Sequence, residues 1–369
     1  MKIFFVGAGA IGSYLGAFLA RAGHDVTLVD PWAEQVEVVR QHGIAVTGPH
    51  DPFQARPRAV HLNEAAGLPR DFEIAFVAMK AYDTAWATQL ALRHLAADGC
   101  VVAAQNCWPD PVVASLAGAS RAVGLIMSKI GVAVWKPGQV ERGMEKGQNR
   151  GHDVFRVGEH DGRTTARATV LAEMLSTIDG ALVTDNLWGE RWSKLCANAM
   201  GNPVQAMSGL GSLDVLSSEV GRTVTIHLAA ESARVGLALG YRIPRFNGAA
   251  AEEWADAGRA PTWEALDRML ISGFAHLGRR GPSPATSCGA PFGSASRRNW
   301  RASMAQDIAK GRSTEIDLMT GYVVAQGGQR GVPTPVSAAV VDVMHEVEAG
   351  LRRPEPANIA LVLRRAGLP

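Results

Sequence analysis

Short runs of β-branched and aromatic residues alternate with helical periods in the first half of the chain. This alternation predicts βαβ units and a parallel sheet. The predicted strands are Ile3 to Val6, Asp25 to Val29, Ile74 to Ala78, Val101 to Ala104 and Ala122 to Ile126, and the predicted helices are Ala10 to Ala22, Ala33 to Gln41, Ala81 to His94 and Pro111 to Leu116. The segment from Val132 to about Val157 is richer in Gly, Val and charged residues than the preceding part of the chain, and it predicts hairpin-like strands that close the same sheet. The segment from Thr164 to Ser176 predicts a further helix.

From Asn186 onward, long apolar-periodic stretches dominate and strand-like alternation nearly disappears. This change predicts a helical second domain. Its predicted helices are Leu187 to Gln205, Glu219 to Leu239, Thr262 to Phe274, Trp300 to Gly311, Glu315 to Gln329 and Ser337 to Arg352. The stretch from Arg279 to Ser296 is rich in Gly, Pro, Ser and Ala, and predicts a long loop.

Composition excludes several classes of protein. With 369 residues, 47% of them hydrophobic and 20% charged, the chain has enough length and apolar content for two domains with cores of their own. A net charge of +2 gives no basic footprint for nucleic acid. The apolar run from Ile3 to Ala20 contains too many glycines for a signal peptide or a membrane span, so a cytoplasmic protein without a membrane partner is expected.

The cysteines and histidines show no metal-ligand spacing, so no metal site is expected. We interpret Cys100, Cys107, Cys196 and Cys288 as reduced thiols, mostly small buried hydrophobic side chains.

A glycine-rich turn follows the first predicted strand and opens the first predicted helix. It reads Gly7, Ala8, Gly9, Ala10, Ile11 and Gly12. In a dinucleotide fingerprint the first glycine permits the turn, the second lets the backbone approach a pyrophosphate, and the third lets helix and strand pack closely. Its position at the start of a βαβ unit favours this interpretation over a purely structural turn.

Asp30 ends the second predicted strand, 18 residues after Gly12. A carboxylate there accepts hydrogen bonds from the ribose 2′-OH and repels a 2′-phosphate, which favours NAD over NADP. The first basic residue after it is Arg40, so a cationic clamp for a 2′-phosphate is not visible. The alternative is that Asp30 is the N-cap of the next helix.

Lys194, Asn198 and Asn202 are spaced at i, i+4 and i+8 on one predicted helical face. They form either a polar stripe that faces a cleft or a stripe that is merely solvated.

A second polar segment distinguishes these alternatives. It runs from Ser303 through Gln306 and Asp307 to Glu315, and Gly321 follows. Four motifs together resemble those of the ketopantoate reductase family: this segment, the glycine-rich turn, Met79-Lys80-Ala81 and Gln105-Asn106. The resemblance covers nearly the whole chain.

The resemblance implies an α/β Rossmann dinucleotide-binding domain, residues 1–185, followed by an all-α C-terminal domain of the 6-phosphogluconate-dehydrogenase-like type, residues 186–369. The second domain would bind substrate and dimerise, so a homodimer is expected. The implied reaction is hydride transfer between NAD or NADP and C2 of a 2-keto acid or 2-hydroxy acid. Lys194 would be the general acid/base, because an ammonium both donates a proton and stabilises a developing alkoxide.

The remaining roles are also implied by the resemblance. Glu315 would orient substrate and interact with Lys194. Substrate would be bound by Asn106, Asn198, Asn202 and Ser303, and the cofactor by the glycine-rich turn, Asp30, Lys80 and Asn106.

Three departures from the family pattern bear on the substrate. The usual Gln-Asn-Gly is Gln105-Asn106-Cys107 here, followed by Trp108. Cys107 either shapes the pocket or only packs, and Trp108 either stacks on an aromatic substrate or fills core. An insertion at about 247–298 would form a lid, a dimer contact or inert surface. Asp30 replaces a basic clamp.

These departures leave several functions open. The leading hypothesis is a 2-hydroxy acid dehydrogenase with a bulkier substrate, and the alternative is a genuine NADPH-dependent 2-dehydropantoate 2-reductase of pantothenate synthesis. A non-catalytic cofactor sensor and another β-hydroxyacid or opine dehydrogenase are further readings.

Overall fold

The computed structural model of the chain describes residues 1–50, 52–279 and 300–368, without the side chains of 274–279. The chain divides into two compact units, Met1–Leu187 and Trp188–Pro369. Apart from Arg279, the loop predicted from Arg279 to Ser296 lies outside the described residues, as do most of the insertion's second half and Cys288.

The first unit is an α/β unit built on an eight-stranded sheet. Its strands are β1 Lys2–Val6, β2 Asp25–Asp30, β3 Ile44–Thr47, β4 Phe53–Ala55, β5 Arg58–His61, β6 Phe72–Val77, β7 Leu95–Ala103, β8 Ala122–Met127, β9 Val132–Lys136, β10 Gln139–Arg142, β11 Phe155–Glu159 and β12 Ala181–Val183. Its helices are α1 Ala10–Arg21, α2 Ala33–His42, α3 Thr84–His94, α4 Asp110–Ala117 and α5 Ala166–Ser176.

The strand order in the large sheet is β12-β11-β8-β7-β6-β1-β2-β5. From β8 to β5 the neighbours pair in parallel, whereas β11 pairs antiparallel with β8. The chain leaves β1 first toward β2 and returns to the other side through β6, so the order reverses between β1 and β6. Ligands of open α/β sheets bind at the carboxyl ends of the strands beside such a reversal.

Both faces of this sheet are buried. Ile3 and Phe5 pack into one apolar core with α1, while Phe4 and Val6 pack into a second core on the opposite face. Side chains of a strand point alternately to its two faces, which explains why β1 is apolar at consecutive positions.

The prediction that strands between Val132 and Val157 close the parallel sheet was wrong in part. β9 and β10 do form a hairpin, but they belong to a separate four-stranded sheet of order β4-β3-β10-β9. The physical reason is that α1 carries an apolar outer surface, where Tyr14 and Phe18 are buried, and the small sheet packs over it. Only β11, beyond the hairpin, joins the large sheet.

The second unit is helical. Its helices are α6 Leu187–Ala199, α7 Asn202–Ser208, α8 Ser212–Ser217, α9 Glu219–Ala238, α10 Ala251–Ala255, α11 Ala260–Arg279, α12 Ser303–Ala309, α13 Ile316–Arg330, α14 Pro335–Glu348 and α15 Ala357–Arg365. The buried helix α9 is central: Trp192 of α6 donates its indole N–H to the Ser232 carbonyl over 2.9 Å, and Glu231 accepts the amides of Val336 and Ser337 at the start of α14.

The continuous helix predicted from Leu187 to Gln205 was also wrong. The structure divides it into α6 and α7 around Met200 and Gly201. Pro203 lies in the first turn of α7, and a proline there has no amide hydrogen and would clash with the carbonyl of residue 199 in a continuous helix.

Candidate active site

The glycine-rich turn crosses the carboxyl end of β1, and its geometry requires two of its glycines. Gly7 has φ +113°, and a Cβ on it would lie 2.9 Å from the Ala78 backbone. A Cβ on Gly12 would lie 1.9 Å from the Gly7 carbonyl oxygen. A Cβ on Gly9 would meet nothing within 4 Å, so the backbone at Gly9 is open to a ligand. These residues therefore fit a dinucleotide pyrophosphate at the N-terminus of α1.

Asp30 lies at the carboxyl end of β2, beside this turn. Its carboxylate is buried and accepts the amide of Ala8 over 2.6 Å and the amide of Trp32 over 2.8 Å. The N-cap of α2 is Trp32, so the alternative that Asp30 caps this helix was wrong. A carboxylate held by the glycine-rich turn is in the position from which it can accept a ribose hydroxyl.

Arg40 is the first basic residue after β2, and its guanidinium is engaged elsewhere. It donates Nε to the Ala59 carbonyl over 2.9 Å and forms an ion pair with Glu64. The hydrogen bonds that a clamp would offer to a 2′-phosphate are thus used within the protein.

Sequence reasoning missed the residues that brace the turn. Gln35 is fully buried on α2; its Nε2 donates to the Ala8 carbonyl over 3.0 Å, and its Oε1 accepts the Gly138 amide over 2.8 Å. Ser13 also donates to the Ala8 carbonyl, over 2.7 Å. No sequence signal identified Gln35, because a single amide on an amphipathic helix resembles any solvated position.

Lys80 and Asn106 follow the carboxyl ends of the neighbouring strands β6 and β7. The buried Gln105 links their segments, since its Nε2 lies 3.0 Å from the Met79 carbonyl oxygen and 3.1 Å from that of Lys80. Thr84 shares the same amide at 3.0 Å. The structure thus brings Lys80, Asn106 and the glycine-rich turn to one edge of the sheet.

Cys107 has a left-handed backbone with φ +65° and a buried side chain. This conformation is strained for any residue but glycine. A glycine after Asn106, as in the family's usual Gln-Asn-Gly, would adopt this backbone without strain.

In the second unit, Lys194 and Asn198 lie one turn apart on α6, with Lys194 half-buried and Asn198 buried. Asn202 begins α7 after the helix break. It lies beside Ser303, the first residue of α12, with 3.4 Å between Asn202 Nδ2 and Ser303 Oγ. The Ala302 amide donates to Gln205 over 3.1 Å, which fixes α12 against α7.

Glu315 is buried at the N-cap position of α13, directly after Thr314. The Thr314 amide donates to Glu348 over 2.6 Å, so the segment before α13 is held against α14. The second unit therefore holds a buried acidic side chain, that of Glu315, at the start of α13.

The buried thiols of Cys100 and Cys196 are poor nucleophiles. Burial raises the pKa of Cys100 to about 11 and that of Cys196 to about 12, so both thiols stay protonated near neutral pH.

No helix in the described part of the chain is long and apolar enough to cross a membrane.

Two family models match the chain. The model described as ketopantoate reductase PanE/ApbA matches residues 3–154, and the model of the family's C-terminal domain matches residues 186–348. A 2-dehydropantoate 2-reductase from Mesorhizobium japonicum is 27% identical, with 94% of this chain and 98% of the relative covered.

Solved structures share the fold. D-mandelate dehydrogenase in a ternary complex with NADH and anilino(oxo)acetate has a TM-score of 0.73 at 20% identity, with 95% of this chain and 99% of that chain covered. A dimeric ketopantoate reductase from Staphylococcus aureus has a TM-score of 0.65 at 15% identity, with 95% and 99% covered. These matches agree with the predicted Rossmann domain and helical C-terminal domain, which are confirmed.

Proposed function

Because the chain belongs to the ketopantoate reductase PanE/ApbA family of NAD(P)-dependent oxidoreductases, we propose that it interconverts a 2-keto acid and the corresponding 2-hydroxy acid. The observation that carries this proposal is the contact of Asn202 with Ser303 at 3.4 Å. It joins two polar segments 101 residues apart, both of which the resemblance assigns to substrate binding. A merely solvated polar stripe has no need of this convergence.

The nicotinamide ring, when bound, supplies or accepts the hydride at C2. The protein must then handle one proton at the C2 oxygen. The Lys194 ammonium donates that proton during reduction and its amine accepts it during oxidation, while its charge stabilises the alkoxide. Glu315, a buried carboxyl group in the same unit, orients the substrate and interacts with Lys194.

The other polar side chains bind and orient. Asn198, Asn202 and Ser303 donate to the carboxylate or hydroxyl groups of the substrate, and Asn106 contacts both substrate and cofactor. Lys80 lies at the carboxyl edge of the sheet and contacts the cofactor. Gly7 to Gly12 hold the pyrophosphate.

NAD is the preferred cofactor in this proposal. The buried Asp30 carboxyl group at the end of β2 and the pairing of Arg40 with Glu64 support this preference, because a carboxylate beside the ribose would repel a 2′-phosphate. NAD preference suits a 2-hydroxy acid dehydrogenase, and the Cys107-Trp108 turn beside Asn106 is the position from which a bulkier acid is selected. The second candidate, an NADPH-dependent 2-dehydropantoate 2-reductase, is supported by the name of the Mesorhizobium relative.

Two properties accompany this proposal. We infer a homodimer, as in the Staphylococcus aureus structure, which size-exclusion chromatography with light scattering tests. We also infer a cytoplasmic location, because Cys100, Cys107 and Cys196 are free thiols.

Initial rates with NADH and NADPH against 2-dehydropantoate and larger branched or aromatic 2-keto acids test the function. We expect faster reduction with NADH and a larger acid. Rapid turnover of 2-dehydropantoate alone with NADPH would instead establish the second candidate, and no turnover of any 2-keto acid would reject both.

Substitution of Lys194 tests the mechanism. Lys194→Met should lower kcat by about 10²- to 10⁴-fold, the usual contribution of a general acid, and leave the Kd of NADH unchanged. Lys136→Met, which removes an exposed lysine at the end of β9, is the matched control. Equal activity of Lys194→Met and the control would exclude Lys194 as the proton donor.

A further inference from the structure

A cavity of about 550 Å³ lies in the first unit at the amino ends of β2 and β5. Arg21, His24, Asp25, Arg56 and Arg58 are among its lining residues. Asp25 begins β2 and Asp30 ends it, and at roughly 3.3 Å per residue the cavity is about 17 Å from the cofactor edge. It is therefore separate from the site described above.

Three arginines and one carboxylate, that of Asp25, line this cavity. Arg21 stacks on Phe53, with the guanidinium carbon 4.4 Å from the ring centroid, and Arg56 donates Nη1 to the Gln41 carbonyl over 3.3 Å. Among the residues that the structure describes, Arg21, Arg56 and Arg58 have no carboxylate partner, in contrast to the paired Arg40 and Arg142. Stacking and the backbone contact orient two of the guanidinium groups and leave most of their N–H donors free.

His24 adds a polar atom that lacks a partner. Its Nδ1 is buried and makes no hydrogen bond with the described residues. Burial and the nearby N-terminus lower the pKa of the His24 imidazole, so the ring is neutral at pH 7. The neutral ring therefore lines the cavity without adding to the charge of the arginines.

The basic surface continues beyond the cavity. An adjoining depression of about 270 Å³ shares Arg21 and adds His50 and Lys146. The Lys146 ammonium lies 5.6 Å from the Phe18 ring centroid. In a chain whose net charge is only +2, this is a local concentration of cations on one face.

We propose that this cavity binds a phosphate-bearing anion, held by Arg21, Arg56 and Arg58. Guanidinium groups match phosphate oxygens in bidentate geometry, and several of them together favour a ligand with more than one negative charge. The volume is that of a small-molecule site rather than of a single ion. Two sources share this chemistry: a free polyphosphate such as pyrophosphate, and the phosphate ester of a small metabolite.

The test is calorimetric titration of the full-length protein saturated with NADH, so that the glycine-rich turn does not compete for the probe. The probes are pyrophosphate and ribose 5-phosphate. We expect saturable binding with a stoichiometry of one, unaltered by NADH. Tighter binding of pyrophosphate identifies the polyphosphate source, and tighter binding of ribose 5-phosphate identifies the ester.

Arg58→Ser is the decisive variant, because the Arg58 side chain is exposed and forms no hydrogen bond or ion pair with the described residues. It should weaken binding of the tighter probe by about tenfold or more, as expected for loss of a charge-assisted pair. Arg353→Ser removes an exposed, unpaired arginine from the second unit with the same change of charge, and should have no effect. Absence of binding in the presence of NADH, or equal weakening by both variants, would overturn the proposal.

Discussion

The Ala8 amide donates a hydrogen bond to Asp30 Oδ2 over 2.6 Å, and so joins the glycine-rich turn to the end of the neighbouring strand. The two residues are 22 positions apart in the chain. Because Ala8 lies between Gly7 and Gly9, the Asp30 carboxylate helps to hold the glycine-rich turn in place.

Asp30→Asn tests the cofactor preference. The Ala8 and Trp32 amides donate to different oxygens of the carboxylate, so in the asparagine one of these amides would face an NH2 donor. The substitution also removes the negative charge that would repel a 2′-phosphate. We expect about tenfold weaker binding of NADH and a smaller difference between NADH and NADPH, measured as Kd by fluorescence titration. Asp25→Asn, at the exposed other end of β2, is the control. An unchanged ratio of the two Kd values would contradict the role of Asp30.

Alanine substitutions at Gly9 and Gly12 should separate binding from stability. Gly12→Ala places a methyl group 1.9 Å from the Gly7 carbonyl oxygen and should lower the free energy of unfolding by about 1–3 kcal/mol. Gly9→Ala meets no protein atom within 4 Å and should leave the melting temperature unchanged but weaken dinucleotide binding. Thermal unfolding and NADH titration of both variants check this, and full NADH affinity in Gly9→Ala would show that the pyrophosphate does not lie there.

The strained turn at Cys107 predicts an unusual order of stability. Both variants lose the buried sulfur, but Cys107→Gly removes the cost of φ +65°, whereas Cys107→Ala keeps that cost. The glycine variant should therefore be the more stable of the two by about 1 kcal/mol in urea unfolding. Cys100, in the buried strand β7, provides the reverse control, since Cys100→Gly should be less stable than Cys100→Ala.

The buried pair of Arg142 and Asp179 predicts a pH effect. Burial raises the pKa of Asp179, but the amides of Gln148, Gly147 and Gly180 together with Arg142 outweigh it, and the net pKa is lowered. A lowered pKa in the folded state stabilises the fold above the unfolded-state pKa of about 4, and this contribution is lost as the pH falls through the folded-state pKa.

Asp179→Asn should therefore reduce the free energy of unfolding by about 3 kcal/mol at pH 7, because it leaves the Arg142 charge buried without a carboxylate. The difference from the unsubstituted protein should narrow as the pH falls below about 4. Urea unfolding at a series of pH values measures it, with Asp161→Asn as an exposed control. A difference that does not vary with pH would show that the carboxylate is not ionised in the folded protein.

Local patterns predicted most of the first unit. The apolar runs of β1 and β2 and the glycine-rich turn between β1 and α1 were found within one or two residues, since each depends on neighbours in the chain. The hairpin of β9 and β10 was also predicted, but its sheet was not. Its parallel pairing with β3 joins Gln139 to Ala45, and no local pattern encodes a pairing between segments so far apart.

The candidate site likewise combines features that the sequence predicted with features that only the tertiary structure showed. The sequence by itself determined the α/β and helical halves and the glycines of the turn after β1, because residue type and spacing express backbone geometry directly. The roles of Lys194, Asn198 and Glu315 stay predictions that the family resemblance implies. Only the tertiary structure decided that Gln35 braces the turn, that Pro203 begins a new helix, and that this helix brings Asn202 beside Ser303. Those relationships depend on which distant surfaces pack together, and packing energy is distributed over many contacts that no short stretch of sequence specifies.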